Sequence, residues 1–174
     1  CYHSSGRSAA TYIEDYGNHV TKELNKASLT FLKSDSQGFL AKRGLLLLGK
    51  QGEETQFETD AEDLGLKCIS IDEAFQLIPA LNKEGTTRQA YRPDVYDIDT
   101  NKLYEYYRKN ALEHGAQIRK NTKLIAAHKK DKKWAVESSD GDITASILIN
   151  AAGAWADQVA ELCGVSKLNI RPYK

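Results

Sequence analysis

The stretch INAAGAWADQVAELCGV, residues 149–165, passes from an apolar run through three small residues into a helical pattern. The preceding sequence ITASILIN, residues 143–150, predicts a β-strand that ends at its asparagine. The small residues 151–153 follow at once, and a helix is predicted over residues 155–163, with a glycine directly after it. This junction of strand and helix is the most informative feature of the sequence.

The junction formed by Ala151, Ala152 and Gly153 has two interpretations. Small residues between a strand and a helix let a ligand approach the backbone, and the first N–H groups of a helix attract negative charge. In open α/β sheets, ligands also collect at the carboxyl ends of strands. Small residues equally allow a helix to pack closely on a strand. The spacing alone therefore leaves the wall of a cofactor pocket and a packing contact equally open.

The stretch HSSGRSAA, residues 3–10, has a similar character. It offers hydroxyl groups, a glycine and Arg7 at the start of a predicted helix, which Ser4 or Ser5 caps and Gly17 interrupts. Such groups suit a phosphate or another anion. The stretch matches neither GxxxxGK[ST] nor GxGxxG. Taken alone, it favours an ordinary capped helix.

The rest of the chain predicts helices that flank several short strands. One amphipathic helix carries Val20, Leu24, Ala27 and Phe31 at helical spacing. The other predicted helices are residues 53–64, one capped by Asp72 and stopped by Pro79, and one capped by Asp99 or Thr100 and ended by Gly115. Strands are predicted within residues 42–50, 68–70, 88–99 and 116–139, and the DGD sequence at 140–142 predicts a hairpin turn. We therefore expect an α/β fold, α+β within this chain, with an antiparallel excursion.

Composition excludes some classes of protein. The chain has 174 residues, and its 24 lysine and arginine residues balance 24 aspartate and glutamate residues. Nucleic-acid-binding proteins usually carry a clear basic excess, so we expect no nucleic-acid partner. No apolar run approaches the length of about 20 residues that a transmembrane helix needs.

The cysteines and the missing methionine bear on location and completeness. The three cysteines are far apart and show no CxxC spacing, so we expect no metal site and a reduced, cytoplasmic compartment. A peripheral position at the inner face of the membrane is left open. Cys68 and Cys163 are expected to be buried. The sequence contains no methionine, not even at position 1, which indicates a piece of a longer protein.

Three stretches together resemble one family in the order of its motifs: YHSSGRSAATYIEDYG (residues 2–17), residues 91–124, and ILINAAGAWADQVAELCGV (residues 147–165). The family is the FAD-dependent D-amino-acid oxidase and glycine oxidase superfamily. The resemblance spans almost the whole chain, and its last motif is the most specific. It implies part of a Rossmann-like FAD-binding domain with an inserted portion of a substrate domain.

The resemblance implies cofactor contacts at matching positions. The loop and helix start that pass along the pyrophosphate and flavin ring match His3, Ser4, Arg7, Ser8 and Ala9. Leu124 matches the residue whose backbone contacts the adenine. The turn that lines the cofactor matches Ala151, Ala152 and Gly153, and Trp155 matches the aromatic residue that opens the next helix. Arg7 is the one candidate for a catalytic role, near the flavin, and no catalytic base is assigned.

The resemblance also implies a division of the chain. Residues 1–30 and 98–164 match the FAD domain, residues 31–97 match a portion of the substrate domain, and residues 165–174 match the start of the return to it. The family's GxGxxG unit and its carboxyl-terminal half have no counterpart here. We therefore expect the isolated chain neither to hold FAD tightly nor to turn over.

The implied activity is oxidation of the α C–N bond of a D-amino acid, glycine or a sarcosine-like amine by hydride transfer to FAD. One alternative is an FAD-dependent dehydrogenase of the 2-hydroxyacid or glycerol-3-phosphate type. An alternative of another class is a non-catalytic subunit that kept the fold for an interaction. The expected partner is a small amino acid or amine, and the sequence leaves the oligomeric state open.

Overall fold

The computed structural model describes residues 4–7, 9–34 and 37–171 of the chain. They belong to two compact units, Cys1–Asn110 and Ala111–Lys174, and each unit is considered by itself. Helices and strands alternate along the chain, which confirms the mixed fold class. The assignment of segments to a cofactor domain and a substrate domain stays a prediction.

The first unit combines helices with two small antiparallel sheets. Its helices are α1 (Ser4–Arg7), α2 (His19–Leu32), α3 (Glu54–Asp63), α4 (Ile71–Leu77) and α5 (Thr100–Glu113), which ends in the second unit. Its strands are β1 (Thr11–Tyr12), β2 (Leu40–Lys42), β3 (Leu45–Gly49), β4 (Lys67–Cys68), β5 (Arg88–Arg92) and β6 (Tyr96–Ile98). The sheet orders are β1-β6-β2 and β3-β5-β4.

Capping side chains explain where α4 and α5 begin. The Ser70 hydroxyl accepts the N–H of Glu73, and the Glu73 carboxylate accepts the N–H of Ser70 in return. The predicted cap at Asp72 is therefore wrong by two residues, since the helix is capped at Ser70. The reciprocal pair of Ser70 and Glu73 satisfies two N–H groups at the helix end. At α5, Asp99 accepts the N–H of Lys102 at 2.9 Å, which confirms one of the two predicted caps.

Helix α2 forms as predicted, and the predicted Phe31 packs against a buried cluster, but the rest of the predicted face is exposed. Val20 and Leu24 are 65% and 63% exposed, whereas Leu32 is buried. The cause is Asn25, whose side-chain amide donates to three carbonyl groups of the loop that precedes the helix, at 3.2–3.3 Å. These bonds turn the face that carries Asn25, Leu29 and Leu32 inward. Hydrophobic spacing missed this face because its anchor is polar.

Two small hydrophobic clusters hold the first unit together. Tyr12, Leu32 and Phe39 form one cluster, and Phe57, Ala61 and Ala90 form the other. The Tyr12 hydroxyl donates to the carbonyl of Asn25 at 3.0 Å, so the ring is buried without leaving its polar atom unpaired. Burial raises the pKa of this hydroxyl. The first cluster thus joins β1 to α2.

The second unit contains a three-stranded antiparallel meander and a helix. Its strands are β7 (Leu124–Lys130), β8 (Lys133–Ser138) and β9 (Ile143–Ala145), and a 3₁₀ turn (Gly153–Trp155) precedes α6 (Ala156–Leu162). Asp131 and Lys132, with φ of 48° and 66°, form the tight connection of β7 and β8. Both residues need left-handed backbone, as in a type I′ hairpin turn. The two predicted hairpins are confirmed.

The predicted strand over residues 143–150 is wrong in its second half. Strand β9 ends at Ala145, and Ile147 and Ile149 lie outside any strand, 77% and 80% exposed. An extended apolar segment becomes a strand only when a neighbouring strand takes its hydrogen bonds, and the described residues supply none here.

The two described cysteines differ in burial. Cys163 is buried at the end of α6 as predicted, but Cys68 is exposed. The difference follows from the sheet order, because Cys68 lies on the two-residue edge strand β4.

None of the helices that the structure describes is long and apolar enough to span a bilayer.

Arg92 connects three segments of the first unit that are distant in sequence. Its side chain is only 11% exposed, and its guanidinium donates to Asp15 at 2.8 Å, to the carbonyl of Leu64 at 3.0 Å and to both carboxylate oxygens of Asp94. Five N–H groups in a fixed plane let one side chain serve all three acceptors. Arg92 thereby ties the end of β5 to the loop after β1 and to the end of α3.

Replacing Arg92→Met should lower the free energy of unfolding by about 2–4 kcal/mol, because it leaves two carboxylates and a half-buried carbonyl without their donor. Arg43→Met is the matched control. Arg43 makes a short ion pair with Asp97, but both side chains are about half exposed, so its loss should cost under about 1 kcal/mol. Denaturant unfolding measures both, and equal losses would contradict the assignment.

Asp94 should make stability depend on pH. Hydrogen bonds from Arg92 hold the pKa of this carboxyl below its ordinary value. A lowered folded-state pKa stabilises the protein above the unfolded-state pKa of about 3.9, and this contribution is lost as pH falls through the folded value. Wild type should therefore be more stable than Asp94→Asn at neutral pH, and the difference should shrink in acid. A stability difference between wild type and Asp94→Asn that is independent of pH would refute the linkage.

Candidate functional site

The structure describes three of the five predicted site positions near the amino terminus. His3 and Ser8 lie outside the described residues. Ser4 begins α1, Arg7 ends it with an exposed side chain, and Ala9 is exposed in the turn that follows. The long helix predicted from this stretch is wrong, because α1 is four residues long and the chain is extended at β1. Ala10, with φ of 44°, marks the change of direction.

The second unit places Ala151, Ala152 and Gly153 in one turn, residues 150–156, which we call the small-residue turn. The Asn150 side chain holds it from within. Its carbonyl oxygen accepts the N–H of Ala152 at 3.2 Å, and its amide donates to the carbonyl of Ala156 at 2.8 Å. One carboxamide thus fixes both the entry to the turn and the first residue of α6.

Open backbone distinguishes the small-residue turn from a packing contact. Ala151, Gly153 and Ala154 are exposed. A Cβ built on Gly153 would meet no atom within 4 Å, so the space beside this residue is open. Gly153 has a φ of 55°, a left-handed conformation that glycine adopts without strain. Within this unit, therefore, no atom packs against the position of Gly153, and the cofactor-pocket interpretation of the small residues stays a prediction.

The other two predicted site residues of the second unit lie on different elements. Trp155 belongs to the small-residue turn, and Leu124 belongs to β7. Trp155 closes the 3₁₀ turn and is 47% exposed. Leu124 begins β7 and lines a shallow cavity of about 510 Å³ with Gln158 and Leu162 of α6. The cavity and the small-residue turn are therefore distinct surfaces of the second unit.

The small-residue turn, residues 150–156, contains no acidic or basic side chain. Backbone atoms and small side chains suit close approach by a flat or polar group. Among the residues that the structure describes, no group of three or more His, Cys, Asp or Glu side chains could hold a metal ion.

A family model described as "FAD dependent oxidoreductase" matches residues 1–174. The chain belongs to this family of FAD-dependent oxidoreductases. The match covers every predicted site residue, including those on the small-residue turn.

Solved structures and a curated relative share this fold or sequence. L-Proline dehydrogenase from P. horikoshii superimposes with a TM-score of 0.77 at 21% identity, over 97% of this chain and 47% of that one. L-α-Glycerophosphate oxidase from Mycoplasma pneumoniae, solved with FAD bound, gives 0.78 at 19% identity, over 92% and 47%. Mitochondrial dimethylglycine dehydrogenase of Mus musculus is 28% identical over 98 residues, which are 56% of this chain and 11% of that protein. The chain thus spans about half the length of the structures it matches.

Within the second unit, no atom obstructs the backbone beside Gly153 in the small-residue turn. FAD is long and flat, and it needs exposed backbone that side chains do not obstruct. The open space beside Gly153 and the exposed residues 151 and 154 provide such backbone in a family whose members bind FAD.

Two polar residues of this region were missed by the sequence reasoning. Asn150 was treated only as the end of a strand, although it organises the turn. Asp157 was not considered, although its carboxylate accepts two backbone N–H groups. An asparagine directly before a run of small residues is the signal that could have found the first, because asparagine often bonds the backbone two residues ahead.

Replacing Asn150→Ala should loosen the small-residue turn without disturbing the meander. The N–H of Ala152 loses its acceptor, and we expect its hydrogen exchange to accelerate about ten-fold, the equivalent of about 1.4 kcal/mol. Exchange measured by mass spectrometry or NMR tests this, with the exposed Gln117→Ala as control. Unchanged protection of Ala152 would show that Asn150 does not hold the turn.

Proposed function

We propose that the protein containing this chain oxidises the α C–N bond of an amino acid or related amine with FAD as cofactor. The observation that carries the proposal is the open, small-residue turn in a chain whose whole length matches the family. The named relatives that act on proline and on dimethylglycine support an amino-acid or amine substrate. D-Amino acids, glycine and sarcosine-like amines are the candidates.

The residues that would hold FAD are the positions that match the family's contacts: His3, Ser4, Arg7, Ser8, Ala9, Leu124, Ala151, Ala152, Gly153 and Trp155. When bound, FAD supplies a two-electron acceptor, so that the substrate's α-carbon loses a hydride, its nitrogen loses a proton, and water hydrolyses the resulting imine. The chain's own residues bind and orient. Asn150 keeps the backbone of the turn open, and Arg7 brings a positive charge toward the flavin.

A second candidate is oxidation of a hydroxyl carbon, as in a 2-hydroxyacid or glycerol-3-phosphate dehydrogenase. The likeness to L-α-glycerophosphate oxidase favours it as strongly as the likeness to L-proline dehydrogenase favours the amine. Flavin reduction under anaerobic conditions separates the two, because only the true substrate class bleaches the flavin absorbance. A protein that binds no flavin would instead be the non-catalytic interaction subunit.

The organisation of the complete protein is part of the proposal. Residues 1–30 and 98–164 are assigned to the FAD domain, residues 31–97 to the substrate domain, and residues 165–174 to the return toward it. The isolated chain is expected to purify without flavin, since a complete FAD site needs the glycine-rich turn that receives the pyrophosphate. A cytoplasmic location is proposed.

Replacing Gly153→Val in the complete gene product should reduce flavin affinity by about ten-fold or more, because the side chain fills the space that the cofactor needs. Gly164→Val is a matched control. Gly164 also has left-handed backbone, at φ of 64°, and a Cβ there also meets no atom within 4 Å. Both variants carry the same backbone strain, but only Gly153 lies in the small-residue turn.

Flavin content after gel filtration and the flavin dissociation constant measure the difference. Loss of flavin in Gly153→Val alone supports the proposed site. Equal retention in both variants, or equal loss, would mean that the turn does not line the cofactor.

A further inference from the structure

Asp157 makes contacts that neither the family match nor the predicted site explains. It lies in the first turn of α6, two residues after Trp155. One carboxylate oxygen accepts the N–H of Leu168 at 2.9 Å, and the other accepts the N–H of Ile170 at 3.0 Å. Backbone N–H bonds to a carboxylate are charge-assisted and stronger than neutral ones.

The segment that follows α6 presents two backbone N–H groups to the carboxylate of Asp157. We call residues 165–171 the exit segment. Asn169, between the two donors, has a φ of 59°, which is uncommon for residues other than glycine and brings its neighbouring N–H groups to the same side. Glu161 and Lys167 form an ion pair about one helical turn further along. The exit segment is therefore anchored at two places on α6.

The first turn of α6 is hydrogen-bonded both to Asn150, where the small-residue turn begins, and to the exit segment. Asn150 bonds the carbonyl of Ala156, and Asp157, the next residue, binds the exit segment. The position of the exit segment thus follows from the position of the small-residue turn. This coupling rests on two side chains rather than on apolar packing, since Leu168 is 78% exposed.

We propose that Asp157 is a positioning residue that fixes the exit segment against the small-residue turn, and thereby sets how the substrate meets the flavin in the complete protein. The proposal rests on the proposed function. The Asp157 carboxylate binds backbone N–H groups 11 and 13 residues away, so its role is to position the chain and not to react with the substrate. Its loss should therefore change the rate of flavin reduction more than flavin affinity.

The test uses Asp157→Ala and Asp157→Asn in the complete gene product, with the exposed Glu137→Gln of β8 as control. Hydrogen exchange at Leu168 and Ile170 should be fastest in Asp157→Ala. Asp157→Asn should be intermediate, because its amide keeps one acceptor oxygen of two. The control should match wild type. Asp157→Asn has nearly the same shape as wild type and keeps the test decisive if the alanine variant does not fold.

Steady-state and anaerobic stopped-flow kinetics provide the second measurement. Flavin content should stay near the wild-type level, while kcat falls about ten-fold, the order of loss expected when reacting groups are misplaced by less than about 1 Å. Unchanged exchange at Leu168 and Ile170 would show that Asp157 does not hold the exit segment. Faster exchange with unchanged kcat and KM, or with lost flavin, would overturn the positioning role.

Failure of the proposed function gives a different result. A wild-type protein that binds no flavin overturns that function and the catalytic role of Asp157 with it. Exchange in Asp157→Ala then still decides whether the carboxylate holds the exit segment.

Discussion

The carboxamide of Asn150 is the contact on which the candidate site depends. A turn of small residues has almost no side-chain atoms to hold it, so its shape must come from hydrogen bonds to its backbone. Asn150 supplies one bond as acceptor and one as donor, to Ala152 and to Ala156. The turn can then stay open beside Gly153 without collapsing. Without these two hydrogen bonds, a turn of small residues would not keep both an exposed backbone and a fixed conformation.

Polar side chains that bind backbone recur throughout the molecule. In the first unit, Asn25 serves three loop carbonyls and Arg92 serves one, while in the second unit Asp157 binds two N–H groups. The hydrophobic clusters are small, with three buried residues each. Small apolar clusters fix the conformation of the connecting loops poorly. Directional hydrogen bonds from polar side chains to the loop backbone fix it instead. The stability of such a molecule is consequently sensitive to single polar substitutions.

Membership of the FAD-dependent oxidoreductase family and the geometry of the small-residue turn support each other. The family match covers the whole chain, and the turn has the exposed backbone that the proposed FAD site requires. Likeness at 19–21% identity carries the fold and leaves the substrate class to experiment. The two proposed substrate classes differ in the atom bound to the reacting carbon, which is nitrogen in an amine and oxygen in a hydroxyl compound.

The sequence by itself determined most helices, the hairpins and the junction of small residues, because these depend on local periodicity, caps and turn chemistry. It also carried the family resemblance, which lies in short ordered motifs. Only the tertiary structure decided which face of α2 is buried, that residues 146–149 form no strand, and that Cys68 is exposed. Each of these depends on a partner distant in sequence: the loop carbonyls that Asn25 binds, a neighbouring strand, or a place at a sheet edge. The roles of Asn150 and Asp157 were hidden for the same reason, since a polar side chain does not reveal from sequence which backbone groups it will meet.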